Sequence, residues 1–243
     1  MIKCVYDTGS KAMWLKATEN EKRLARNIYK VCSKSTNKNE KFNILITEGK
    51  PEIIMNALEV LYFKYDDNDG SNYYYIDKID KDTKKIVINI PKFRAIVSRN
   101  INAKNEIKRI IQYIQPNKYK TIPEKVKAFH DYICEFTDYD YTYEKPTTLY
   151  DALFAHVVVC EGYSVFMKAL CDYANRPCQA VSNNTHQWNR IKYNNKWYYV
   201  DTTWDDTTKL GNKYKYFFLP EEEFIKIHPK HIRVDKNQYW ELS

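Results

Sequence analysis

The chain has 243 residues, 44% hydrophobic and 29% charged, with only 5 Gly and 8 Pro. That balance suits one large globular domain, or a core domain with a smaller subdomain, and argues against long disordered linkers. The net charge of +8 is spread along the chain; it favours acidic or anionic cell-surface partners, but no recognition motif accompanies it and no nucleic-acid role is expected.

Thr18 and Glu21 have the spacing of a capping box, and Leu24, Ile28 and Val31 then fall on one helical face. A second helix is expected from Pro51, with Ile54, Leu58 and Leu61 as its stripe. SNYYYIDKIDKDTKKIVINIP reads as two strands around a polar turn, closed by Pro91. A third helix is expected over about 99–115, with Ile107, Ile110, Ile111 and Ile114 as its core face, before QPNKYKTIP breaks the pattern. Thr121 and Glu124 form another capping box, and Val126, Phe129 and Ile133 the stripe behind it. A polar, aromatic loop, FTDYDYTYEKP, leads to a short helix around 148–155. A further helix starts at Cys160 and runs to about Tyr173, its core side Phe166, Ala169, Leu170 and Tyr173. PCQAVS, HQWNRIKY and KWYYVDTT read as strands, the last two joined by Asn194-Asn195, a pair that tolerates the positive φ of a tight hairpin turn. The fold class expected is α+β, with an N-terminal α+β subdomain over 1–117 and a catalytic core over 118–243.

No run approaches about 18 consecutive apolar residues, so no membrane span is expected. The start, MIKCVYDTGSKAMW, has no apolar h-region. The chain as given therefore reads as cytoplasmic, or as extracellular if a leader has been removed. Six cysteines in a chain this long do not make a disulfide scaffold, and no C-x-x-C spacing points to zinc.

One cysteine stands apart. In VVVCEGYSVFMKAL, Cys160 opens a helix. Unsatisfied N–H groups and the positive end of the helix dipole favour its thiolate, and backbone hydrogens nearby could serve an oxyanion. Gly162 leaves space near the thiol. A base and its orienter are available on the hairpin: with Asn194-Asn195 as the turn, Tyr193 pairs with Lys196, and His186 and Asp201 fall on one face as diagonal neighbours, within reach of each other. The pattern permits a Cys160–His186–Asp201 triad with Asp201 holding the His186 tautomer.

VCEGYSVFMKALCDYANRPCQAVS, HQWNRI and KWYYVDTTWDD together resemble the core of the transglutaminase-like superfamily, in its bacterial branch. The family pattern Cys-Glu/Gln-Gly-Tyr is matched at Cys160–Tyr163, His-x-Trp-Asn at His186–Asn189, and Trp-Tyr-x-Val-Asp-x-Thr-Trp at Trp197–Trp204. Upstream, VKAFHDYICEFTDYDY resembles the helix and Tyr-Asp segment that precede the core. The resemblance implies a papain-like core, with a catalytic Cys at a helix N-terminus packed on an antiparallel sheet. It also implies thiol chemistry on amides of protein or peptide substrates: peptide or isopeptide hydrolysis, glutamine acyl transfer, or deamidation. It requires no metal or cofactor, and the chain has no dense acidic calcium loop. Two positions depart from the family: Val159 replaces a frequent Gly before the Cys, and Thr202 replaces a frequent Pro after the Asp.

Tyr139, with Asp140, matches the family's Tyr-Asp and is a candidate oxyanion or cleft residue, beside Glu161, Gly162, Tyr163 and Trp188. Trp188, Trp197 and Trp204 read as packing aromatics, with Trp188 placed best to wall a cleft. Cys171 and Cys178 read as core residues. His228 and His231 form H-x-x-H without an acidic partner nearby and read as surface or packing residues. A non-catalytic binding or assembly module is the rival reading, against which all three triad residues stand. Removal of a glycan from asparagine is a third, weakened by the missing pair of Cys-x-x-C motifs.

Overall fold

The computed structural model describes residues 17–34, 41–45, 76–80, 85–142, 146–183, 185–207 and 213–228. The helix expected from Pro51 and the turn of the first hairpin lie outside these residues. The chain divides into two compact units, the first reaching to Lys104 and the second beginning at Asn105.

In the first unit, helix α1 (Glu19–Lys34) starts at the expected capping box: Thr18 Oγ1 accepts from the Glu21 amide at 3.2 Å and Glu21 accepts from the Thr18 amide at 2.8 Å. Its buried face is rotated from the expected one. Ala25, Ile28 and Cys32 are buried, whereas Val31 is 44% exposed. Small Ala and Cys side chains carry the contact, and a stripe of large residues alone misses them. Strands β1 (Lys41–Leu45), β2 (Ile76–Asp80) and β3 (Lys85–Asn89) form an antiparallel sheet with β3 in the centre. Ile86 and Ile88 alternate onto the core face and pack with Ile28, Ile90 and Phe93.

Helix α2 (Ile90–Ile114) begins nine residues before its expected start of 99. Pro91 opens this helix instead of closing a strand. Asn89 is its cap, its Oδ1 accepting from the Lys92 amide at 3.1 Å, and proline is tolerated in a first helical turn because its missing N–H has no acceptor there. Gln115, at φ 52°, ends the helix before a single 3₁₀ turn at Pro116–Lys118.

The second unit is built around one buried helix. Helix α3 (Ile122–Phe136) opens on a full Thr121–Glu124 capping box and buries Val126, Phe129 and Ile133 as expected. A two-residue strand β4 (Asp138–Tyr139) follows, then helix α4 (Leu149–Phe154), capped by Thr148. Strand β5 (Val157–Val158) pairs in parallel with β4. Helix α5 (Cys160–Tyr173) packs against α3, α4 and the sheet behind it. It is buried on all sides from Gly162 to Cys171, not along a single stripe.

That sheet has the antiparallel order β6-β7-β8-β9, with β6 Cys178–Ser182, β7 Gln187–Tyr193, β8 Lys196–Val200 and β9 Leu219–Pro220. The hairpin register is the one read from the sequence: Tyr193 pairs with Lys196 and Asn189 with Val200. Asn194 and Asn195 take φ values of 50° and 59°, both in the left-handed region that a type I′ turn demands. Helix α6 (Thr202–Thr207) and helix α7 (Glu221–Ile227) complete the described elements.

Gly162 also answers a constraint from β5. A Cβ built there would sit far inside van der Waals contact of the Val158 Cβ. The glycine lets α5 lie directly on β5, and so fixes where Cys160 stands. Since Val158 Cβ is held by its own backbone, the clash cannot be relieved by a rotamer change. Gly162→Ala is expected to cost roughly 1–3 kcal/mol, the usual range for overpacking, read as a lowered urea midpoint; an unchanged midpoint would refute this close approach.

Candidate active site

Cys160 is the first residue of α5, and its preceding residue, Val159, provides no side-chain cap. The first-turn amides of any helix have no acceptor within it. Cys160 occupies that first turn, at the positive end of a fourteen-residue helix dipole. Val159 has φ −91° and ψ −176°, extended backbone open to any residue, so its replacement of glycine imposes no strain. Of the three valines that lead in, Val158 and Val159 are buried and Val157 is 37% exposed.

The sheet supplies the other groups. His186 immediately precedes β7, and Asp201 immediately follows β8. His186 Nε2 lies 2.6 Å from Asp201 Oδ2, and the nearby Cys160 thiol acts on the His186 ring electrostatically. With Nε2 given to the carboxylate, Nδ1 is the nitrogen left for the thiol. The strand that carries His186 is stapled to the helix that carries Cys160: Asn189 Nδ2 donates to the Ser164 carbonyl at 3.0 Å, and Ser164 Oγ donates to the Trp188 carbonyl at 3.3 Å. Asn189 lies within the His-x-Trp-Asn pattern, but nothing in its spacing tells that it spans the two elements.

Asp201 is completely buried, and it does two jobs. Oδ1 accepts from the Trp204 amide at 3.0 Å, which makes Asp201 the N-cap of α6. Oδ2 accepts from His186 and, at 2.7 Å, from His228 Nε2. Thr202 is therefore the first residue of the helix, a position where proline is also accepted. Burial alone would raise the Asp201 carboxyl, but the paired imidazoles bring it below its ordinary value. Burial likewise opposes charge on His186; Asp201 and then Cys160 outweigh it and raise the imidazole to about 9.

His228 corrects the sequence reading. It is 1% exposed, not a surface residue, and its acidic partner is Asp201, 27 positions earlier in the chain. No local pattern reveals a partner so distant. His231 lies outside the described residues.

The remaining candidates differ in placement. Tyr139 pairs with Val158 across β4 and β5, is half-buried, and has its phenol raised by burial and then by the nearby Cys160. It lines the thiol. Glu161 is partly exposed in the first turn of α5, where an acid complements the dipole. Tyr163 is buried, and its hydroxyl donates toward the Thr137 carbonyl and the Asp206 carboxyl. Trp188 is a core residue, packed with Val181, Tyr199, Tyr216 and Phe224, and its ring stacks on His186 at 5.7 Å. It orients the imidazole from behind. Cys160 and His186 each keep 8% exposure, so solvent reaches the assembly from their side.

His186, Asp201 and His228 offer atoms of metal-binding type within 4.8 Å of one another. Tetrahedral zinc with ligands at about 2.0–2.2 Å holds them roughly 3.3–3.6 Å apart. The observed 2.6 and 2.7 Å separations are those of charge-assisted hydrogen bonds.

Residues 108–202 match the core of the transglutaminase-like superfamily, a span that includes Cys160, His186 and Asp201. Among curated proteins, the chain is similar to the kyphoscoliosis peptidase of Homo sapiens, 23% identical over 174 residues, covering 60% of this chain and 26% of the relative. The Mus musculus kyphoscoliosis peptidase is 25% identical over 146 residues, covering 49% and 22%. The chain thus spans about a quarter of the length of these relatives. Among solved structures, a crystal structure of a TGase aligns with a TM-score of 0.40 at 17% identity, covering 74% of this chain and 53% of that one.

The raised His186 links the site to stability. Its favourable pairing is fully present below the ordinary value of 6.5 and is lost as pH rises through about 9. Urea unfolding at stepped pH should show the stability advantage of wild type over His186→Gln narrowing across that interval. A constant advantage would contradict the imidazolium–carboxylate pair.

Proposed function

We propose, from a core over residues 108–202 that belongs to the transglutaminase-like superfamily, that this chain is a cysteine-dependent amide-processing enzyme acting on protein or peptide substrates. The observation that carries the reading is Cys160 at the first position of α5, close enough to His186 to act on its charge, and His186 in turn bound to Asp201 at 2.6 Å. This is the order nucleophile, base, orienter.

In the proposed reaction His186 Nδ1 takes the Cys160 proton, and the thiolate attacks the substrate carbonyl carbon. The first-turn amides of α5 receive the oxyanion. His186 then returns its proton to the departing nitrogen, the C–N bond breaks, and a thioester to Cys160 remains. Water resolves it in hydrolysis, with His186 as base; a primary amine resolves it in acyl transfer. Asp201 keeps Nδ1 free to accept by holding Nε2–H and stabilises the imidazolium. The peptidase names of the curated relatives favour peptide or isopeptide hydrolysis over transfer.

Iodoacetamide labelling near neutral pH tests the reading. Cys160 should react selectively, and far more slowly in His186→Ala. Equal, slow labelling of all six cysteines would refute it. Against a glutamine-containing protein, Cys160→Ala should lose at least about 10³-fold in turnover. Incorporation of a labelled primary amine, dependent on Cys160, would move the assignment from hydrolysis to transfer.

A further inference from the structure

The triad as proposed leaves unused a buried group that touches it, His228. His228 caps the C-terminus of α7, its amide donating to the Phe224 carbonyl at 2.8 Å. Its ring is clasped between aromatics, stacked on Trp204 and on Phe224 at 4.6 Å each, and lies nearly parallel to the His186 ring at 5.6 Å. Packing alone would be satisfied by a phenylalanine. The ring instead directs Nε2 at Asp201 Oδ2, the same oxygen that holds His186.

We infer that His228 is a positioning residue, a second imidazole that divides the Asp201 carboxylate with His186 and thereby sets the basicity of the proposed base. The inference rests on the reading of His186 as that base. An ionised carboxylate only accepts, so both rings must present Nε2–H to it. Each donor drawn to one oxygen lowers the electron density available to the other. His228 therefore weakens the hold of Asp201 on His186, and holds His186 below the pKa that an undivided carboxylate would impose. That matters for a base that must also give its proton back. Among the described residues, the titratable groups around His186 are Cys160 from α5, Asp201 from the β8–α6 junction and His228 from the end of α7; Asp205 on α6 and Asp201 act on each other from one turn apart. Among these, His228 is the donor that competes with His186 for Oδ2.

Imidazole ¹H–¹⁵N correlation spectra through a pH titration read both rings directly and need no turnover. In wild type, His186 and His228 should both show the Nε2–H tautomer. In His228→Phe, which keeps the aromatic stack but removes the donor, the His186 midpoint should move up by roughly 0.5–1 pH unit, as for a carboxylate released from a competing partner. His228→Gln, which restores an N–H at a similar reach, should return it toward the wild-type value. A His186 midpoint unmoved in folded His228→Phe overturns the inference, as does an Nδ1–H tautomer of His228 in wild type, which needs no variant at all. Iodoacetamide labelling of wild-type Cys160 run alongside separates the two readings: His186-independent labelling sinks the proposed function, whereas an unmoved midpoint with His186-dependent labelling sinks only the role of His228.

Discussion

A completely buried carboxylate is the constraint around which this core is arranged. Asp201 could not stay ionised in such a place without donors, because burial works against its charge. It draws three: the Trp204 amide, His186 and His228. Each comes from a different part of the chain, so meeting the demand of one side chain fixes the start of α6, the edge of β7 and the end of α7 together. Its own amide donates to the Tyr216 carbonyl at 3.0 Å, tying in the segment before β9 as well. The site is in this sense a by-product of satisfying one charge.

A second buried pair repeats the device four residues along α6. Asp205 accepts from the Tyr216 amide at 2.8 Å and meets His130 Nε2 at 3.1 Å. Burial weighs against charge on His130, but its hydrogen bonds to Asp131 and Asp205 outweigh that and raise it. Asp201, the cap that precedes α6, turns to His186 beside the sheet, and Asp205, within α6, turns to His130 on α3. Beside it, Asp131 accepts from Tyr214 at 2.8 Å, and Lys127 donates to the Tyr214 hydroxyl at 2.6 Å. The 214–216 segment is thus held from α3 and from α6 at once, which steadies the helix that Asp201 caps.

What could be read in the sequence follows from how local its cause is. The hairpin register was legible because Asn194-Asn195 declares its turn, and every pairing outward is then counted by parity. The capping boxes at Thr18 and Thr121 were legible for the same reason: donor and acceptor are three residues apart. Pro91 was misread because proline ends a strand and opens a helix equally well, and only Asn89, as cap, decides between them. The face of α1 was misread because Ala25 and Cys32 carry it in place of larger side chains. Gly162 has a further need, its contact with β5, which spacing within α5 cannot display. His228 and Asn189 were missed because their partners are 27 and 25 residues away on other elements.

The double role of Asp201 also bears on how the site can be probed. An Asp201 substitution removes the α6 cap and leaves two buried imidazoles without their acceptor, so stability and chemistry would fall together, and lost turnover alone would say little about mechanism. Cys160 is different. It stands at the edge of the assembly, keeps some exposure, and caps no helix through its thiol. His186 is intermediate, since its loss leaves Asp201 still held by His228 and Trp204. The groups nearest solvent are therefore the ones whose removal separates reaction from folding, and the order Cys160, His186, Asp201 is one of increasing structural cost.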